Sequence, residues 1–210
     1  MTPFTAAATA PETAATCWSC GGATVATAPF CACGAVQPPG QGDHFARLGL
    51  ERGFDVDVAV LDRRYFDLQR RLHPDRFARK TPREKAISQQ QAAALNEAYE
   101  TLKNPLRRAR YLARHLGVDL PQEGRTIDDP ELLMEAMERR EALSEAATPQ
   151  AIEALARDAA GARAAALESL SALFTAGDKK GLRTAILRLA YLDKFAEEAR
   201  ARRFNMGASG

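Results

Sequence analysis

Cys17-Trp18-Ser19-Cys20 and Cys31-Ala32-Cys33 hold all four cysteines of the chain, with ten residues between the pairs that include Gly21, Gly22 and Pro29. Four thiolates satisfy a tetrahedral zinc ion, and a Cys-x-x-Cys turn lets two sulfurs chelate from one bend. The second pair has one intervening residue, which makes a tighter bite. Two disulfides are the main competing chemistry, disfavoured where thiols are kept reduced. An iron–sulfur cluster on the same four cysteines is a third. Structural zinc on Cys17, Cys20, Cys31 and Cys33 is the leading expectation. A zinc enzyme needs an open coordination position and a nearby base, whereas four cysteines close the site and no histidine lies among them. A nucleic-acid-binding ribbon fits poorly, because Met1 to Ala46 contain no lysine or arginine to neutralise phosphate.

His73-Pro74-Asp75 is the second constellation. Before it, Leu61, Tyr65, Leu68 and Leu72 recur at helical spacing and form one apolar stripe. After it, Thr81-Pro82-Arg83-Glu84 is a capping-box start with proline at the first helical position. The helix that follows carries Ile87, Ala94, Leu95, Ala98, Tyr99 and Leu102 inward. The tripeptide therefore lies in a tight loop between two antiparallel helices, its side chains facing solvent. Pro74 fixes its own φ and pushes His73 toward extended geometry. Asp75 offers a fixed carboxylate able to accept a bidentate bond from an arginine. Neutral His73 offers one donor and one acceptor. On the outer face of the preceding helix, Arg63 and Arg70 lie nearly in line, as do Arg64 and Arg71.

In this helix–loop–helix setting the tripeptide resembles that of the J-domain, the module that drives ATP hydrolysis by DnaK-type chaperones. The resemblance implies a chaperone-binding role for His73, Pro74 and Asp75. It also implies that Arg63, Arg64, Arg70 and Arg71 meet an acidic chaperone surface, where charge complementarity raises encounter rate and fixes orientation.

The elements that must position these residues are helical. Asp43 caps a short helix carrying Phe45 and Leu48 and ending at Gly49; Asp55 or Asp57 caps the long helix that ends at His73. Asn104-Pro105 opens a fourth helix, with Gly117 as its stop. Asp129-Pro130 and Thr148-Pro149 start two more helices, and a last one runs from beyond Gly177-Asp178 to about Phe204. The long helices can bury their apolar stripes only by packing together. The expected architecture is all-α: a four-helix J-domain over 43–117 and an antiparallel three-helix bundle over 129–204. A small zinc knuckle at 17–39 precedes them, behind a disordered alanine–threonine lead over 1–16. The knuckle is expected to be dispensable for folding of the helical segments, each of which has its own apolar stripes.

Composition sets the remaining bounds. The 210 residues are 46% hydrophobic and 27% charged, with a formal net charge of +2, too near neutral to argue for a nucleic-acid partner. No apolar run approaches the ~18 residues that a spanning helix needs, so no membrane role is expected. Neither a signal nor a transit pattern stands at the N-terminus, and a bacterial cytoplasmic setting is the expectation. No phosphate-cradling glycine loop followed by lysine occurs, so the chain is not expected to be an ATPase or another enzyme.

With both helical segments in view the resemblance narrows. Asp43-His44-Phe45, Asn104-Pro105-Leu106-Arg107-Arg108-Ala109, Leu132-Leu133-Met134-Glu135, Arg139-Arg140-Glu141 and Tyr191-Leu192-Asp193-Lys194-Phe195 resemble, in order, the motifs of the HscB family. Its members are J-domain co-chaperones of iron–sulfur cluster biogenesis. A four-cysteine extension with aromatic and Pro-Pro landmarks, echoed by Phe30-Cys31 and Gln37-Pro38-Pro39, occurs in the longer members. The resemblance implies two partners, an HscA/DnaK-type ATPase chaperone and the scaffold IscU. It implies scaffold contact for Leu133, Met134, Met137, Glu138, Glu141 and Tyr191. From spacing alone, Leu132, Ala136, Arg140 and Leu143 compete with that strip for the inward side of the helix. A general folding co-chaperone, binding many unfolded clients, is the rival reading.

Overall fold

The computed structural model describes residues 14–40, 42–121 and 129–208. Two compact units divide the chain between Arg108 and Ala109. The first contains the cysteines and the helices around His73-Pro74-Asp75, and the second the long C-terminal helices.

In the first unit, β1 (Ala14–Thr16) pairs antiparallel with β2 (Ala23–Val25), Ala14 facing Val25 and Thr16 facing Ala23. The expected disordered lead over 1–16 is corrected at its last three residues, which are strand; residues 1–13 lie outside the described residues. Three small residues carry no readable alternation, and the turn beyond them brings the strands together. Cys17 N–H donates to Gly22 O at 2.9 Å and Gly21 N–H to Cys17 O at 3.0 Å. A matching turn follows Cys31, whose N–H donates to Ala35 O at 3.0 Å while Gly34 N–H donates to Cys31 O at 2.9 Å. Gly21 and Gly34 close these turns at φ of 71° and 87°, a region that a Cβ makes costly. Among the described residues, apart from this ribbon and one isolated bridge between Phe30 and Val36, the regular structure is helical.

Local capping sets the helices that follow. α1 (His44–Leu48) starts on Asp43, whose carboxylate accepts Ala46 N–H at 2.7 Å, and stops at Gly49. α2 (Val58–Leu72) starts on Asp57, which resolves the choice between Asp55 and Asp57. A 3-10 turn (Pro74–Phe77) leads to α3 (Pro82–Lys103). There the Thr81 hydroxyl accepts Glu84 N–H at 3.3 Å and the Glu84 carboxylate accepts Thr81 N–H at 3.0 Å. α4 (Pro105–His115) begins behind Asn104, whose side-chain oxygen accepts Arg107 N–H at 3.0 Å.

α2 and α3 close over Leu61, Leu72, Leu95, Ala98 and Leu102, all buried. Each buried leucine removes apolar surface worth about 1.5–3 kcal/mol. Tyr65 and Tyr99 stack across the pair at 3.9 Å between ring centres. Tyr99 Oη donates to Asp62 at 2.8 Å, and this bond, with Lys103 beside it, holds the Asp62 carboxyl below the usual range.

In the second unit, α5 (Pro130–Glu145), α6 (Pro149–Ala176) and α7 (Lys179–Ala208) form the bundle. Asp129 and Thr148 cap the first two, and Gly177, at φ 66°, ends α6. Arg163 pairs with Asp193 at 2.5 Å and Glu153 with Arg203 at 3.0 Å. Stepping back along α6 thus steps forward along α7, the register of an antiparallel pair. Leu143, Ile152, Leu192 and Phe195 belong to the core between the three helices. Among the described residues no helix is long and apolar enough to cross a membrane.

Candidate functional site

Three places bring the candidate residues to the surface or together. The first is the loop between α2 and α3. Pro74 holds His73 at φ −55° and ψ 129°, which ends α2 and turns the chain outward. Asp75 N–H donates to His73 Nδ1 at 3.3 Å, so in the neutral ring the proton sits on Nε2, free to donate outward. The Asp75 side chain is 90% exposed, and its Oδ2 lies 3.6 Å from His73 Nδ1. Behind the loop, Ser88 Oγ donates to Leu72 O at 2.9 Å, fixing the residue before His73 to α3. The loop is thus a rigid mount for two exposed polar groups.

The four arginines of α2 are all exposed but differ in surroundings. Arg71 stacks over the Phe30 ring at 4.9 Å, and the Arg64 guanidinium lies close over Gly49. Arg63 and Arg70 flank Phe66, an aromatic ring left 52% exposed, and Arg70 pairs with Asp67 of its own helix.

The second place is the cysteine cluster. The four sulfurs lie within 4.8 Å of one another. Cys17 meets Cys33, and Cys20 meets Cys31, each at 3.8 Å. These distances rule out disulfides in this arrangement, since an S–S bond is about 2.05 Å. They match the edge of a tetrahedron with metal–sulfur bonds of about 2.3 Å. The tight Cys31-Ala32-Cys33 bite is accommodated because its sulfurs face opposite members of the first pair. Ser19 N–H and Gly22 N–H donate to the sulfurs of Cys17 and Cys20 at 3.4 Å each. The Cys17 thiol is pulled down to about 6, first by the Cys20 N–H and further by the Ser19 N–H and the Cys31 and Cys20 thiols, against desolvation. The Cys33 thiol is pushed up to about 11: the Ala35 N–H works downward, but the Cys20 thiol, burial and the Cys31 and Cys17 thiols outweigh it. A cation can displace protons from such a cluster, and these four cysteines can hold a metal ion.

The third place is the outer face of α5. Leu132 and Leu143 are buried, which turns Leu133, Met134, Met137, Glu138 and Glu141 together to solvent. Met134 and Met137 are 63% and 61% exposed. Tyr191 is on a different helix from these five residues, with Glu135 and Arg139 of α5 beside its hydroxyl. It is half-buried on α7 and packs against the core, where α7 faces the other two helices. Its hydroxyl is pushed up to about 12 by burial first and by Glu135 next, with Arg139 opposing.

Known proteins share this combination. Residues 43–111 match the DnaJ domain, and residues 128–200 match the HSCB C-terminal oligomerisation domain. A co-chaperone protein HscB homolog from Cupriavidus taiwanensis is 40% identical over 159 residues, covering 74% of this chain and 90% of that one. The chain belongs to the HscB family of co-chaperones. The iron-sulfur cluster co-chaperone protein HscB of Mus musculus is 33% identical over 187 residues, 87% of this chain and 80% of its own. The crystal structure of human co-chaperone protein HscB matches with a TM-score of 0.83 at 30% identity, covering 90% of this chain and 98% of that one. HscB-family proteins are co-chaperones rather than enzymes.

Three residues of this HscB-family chain, Gln91, Ser88 and Phe66, escaped the sequence reading, as did the role of Gln37, named there only as part of a landmark. Gln37 and Gln91 are buried polar side chains at 4% and 3% exposure, Ser88 is buried at the loop, and Phe66 is an exposed ring. Glutamine has no positional signature, and only long-range contacts reveal what these two do. The exposed Phe66 was open to detection: it lies three residues after Arg63 and four before Arg70, on a face otherwise charged.

Proposed function

We propose that this chain couples an iron–sulfur scaffold to an ATPase chaperone. It holds an IscU-type scaffold on Leu133, Met134, Met137, Glu138 and Glu141. It presents His73-Pro74-Asp75, with Arg63, Phe66 and Arg70, to an HscA/DnaK-type chaperone. The chaperone's ATP hydrolysis then drives cluster transfer to acceptor proteins. Cys17, Cys20, Cys31 and Cys33 hold a structural zinc ion, and the bacterial cytoplasm is the setting.

The observation that carries this reading is one chain with two exposed sites of opposite chemistry, in separate compact units. One is a fixed polar loop suited to meeting an arginine and an acidic surface. The other is a Met-rich apolar strip edged by carboxylates, suited to an adaptable protein contact. A generalist for unfolded clients would not need the second to be so local. ATP turnover by the cognate chaperone, measured with this protein and scaffold added singly and together, tests the reading. Each should stimulate, and the two together should exceed their sum. No stimulation by the protein, alone or with scaffold, would overturn it.

A further inference from the structure

The cysteine knuckle is not an appendage of the first unit: it grips the helices on either side of the His73-Pro74-Asp75 loop. Gln37 is the centre of the grip. Its side-chain amide donates to Cys17 Sγ at 3.3 Å and to Ala35 O at 2.9 Å, using both N–H bonds inside the knuckle. Its backbone oxygen accepts from Gln91 Nε2, on α3, at 2.7 Å. Both glutamines are buried, so neither bond is readily replaced by water.

Two cation–π contacts hold the edges. The Trp18 ring, between the first two cysteines, faces the Arg83 guanidinium at 4.4 Å, and its Nε1–H donates to Val36 O at 2.6 Å. The Phe30 ring, beside Cys31, faces Arg71 at 4.9 Å. Arg71 is in the last turn of α2 and Arg83 in the first turn of α3, so the two contacts bracket the loop in sequence. Ser88, one helical turn before Gln91, bonds Leu72 O immediately ahead of His73.

We propose that Gln37 and Gln91 form the outer shell of the metal site and join it to the J-domain, so that loading the four cysteines with metal tightens the hairpin that bears His73-Pro74-Asp75. The proposal rests on the reading of the cysteines as a metal site. The physical reason is the knuckle's size. Two three-residue strands cannot hold themselves together, so the positions of Cys17, Trp18 and Phe30 depend on what joins the four sulfurs. Losing that join frees Gln37 from Cys17 and releases both rings. Coupling of this kind is reciprocal: whatever the metal contributes to the hairpin, the hairpin contributes to metal affinity. A substitution on α3, 54 residues from Gln37 in sequence, must therefore weaken the metal site.

The experiment uses the full chain with zinc as the probe. Chelator competition measures zinc affinity of the wild type, Gln91→Leu and Arg83→Ala; hydrogen exchange follows amides 70–72 and 83–91 with and without zinc. Gln91→Leu keeps the volume but leaves Gln37 O without its donor, and zinc affinity should fall roughly tenfold, the effect of one buried bond. Arg83→Ala, at an exposed site that does not threaten folding, should lower it about twofold. Zinc removal should speed exchange in the wild type and much less in Gln91→Leu. Wild-type protein that takes up no zinc would overturn the metal reading and the coupling with it. Zinc uptake with the same affinity in folded Gln91→Leu and Arg83→Ala, and exchange indifferent to zinc, would overturn the coupling alone.

Discussion

The loop of the first unit and the α5 strip of the second are both exposed contact sites, yet they are built in opposite ways. The loop concentrates its chemistry in a few atoms: the Asp75 carboxylate, the His73 ring and the proline between them, fixed by the Asp75 N–H and by Ser88 behind Leu72. The strip spreads over two turns of α5, with an exposed leucine and two exposed methionines edged by the Glu138 and Glu141 carboxylates. A point site gains specificity from orientation and fails when one atom changes. A distributed site gains affinity from area and degrades by increments.

Asp75→Asn is the severest way to break this comparison. The amide keeps the shape and removes the charge, so stimulation of the chaperone ATPase should fall to background while scaffold binding is untouched. Circular dichroism checks the fold, and normal stimulation by pure Asp75→Asn protein would remove the loop from the coupling site. Truncating Leu133, Met134 and Met137 together to alanine comes next. Apolar anchors of an interface cost more than about 1 kcal/mol each, so calorimetric titration should show scaffold affinity down by about two orders of magnitude. Stimulation through Asp75 in the absence of scaffold should persist. Full-strength binding by the folded triple variant would place the scaffold on another face.

Glu138→Gln with Glu141→Gln sharpens the contrast more gently. Rim charges act over a Debye length of about 8 Å at physiological salt, so scaffold binding should weaken a few-fold at low salt and hardly at all at high salt. A loss independent of salt would mean that these carboxylates are buried in the contact. The smallest effect belongs to the support of the loop. Thr81 N–H, then the Thr81 hydroxyl, hold the Glu84 carboxyl below the usual glutamate range. That stabilisation is present above the unfolded-state value and is lost as pH falls through the lower folded value. Wild type should therefore be slightly more stable than Glu84→Gln near neutrality, and the two should converge in acid. A difference that persists in strong acid would show that the bond is not carried by the carboxylate.

Most of the helices were legible because their ends are local. Asp43, Asp57, Thr81, Asn104, Asp129 and Thr148 each stand where a helix starts, and each satisfies amide donors within three residues of itself. The exposure of Asp75 follows from Pro74 ending α2, which is again a matter of adjacent residues. The strand at Ala14–Thr16 was not legible, because the bonds that define it run to residues 23–25 and its own side chains say nothing about them.

The sequence by itself determined the cysteine set, the loop and its flanking caps, since a turn, a cap and a proline act over a few bonds. Tertiary structure alone decided which face of α5 turns outward, because Leu132 and Leu143 find their burial among helices that sequence spacing cannot orient. It also decided that Tyr191 supports the bundle core and that Arg71 lies against Phe30. The bond between Gln91 and Gln37 is of the same kind. Its donor and acceptor are ordinary in sequence, and burial across 54 residues is what makes leaving either one unpaired costly.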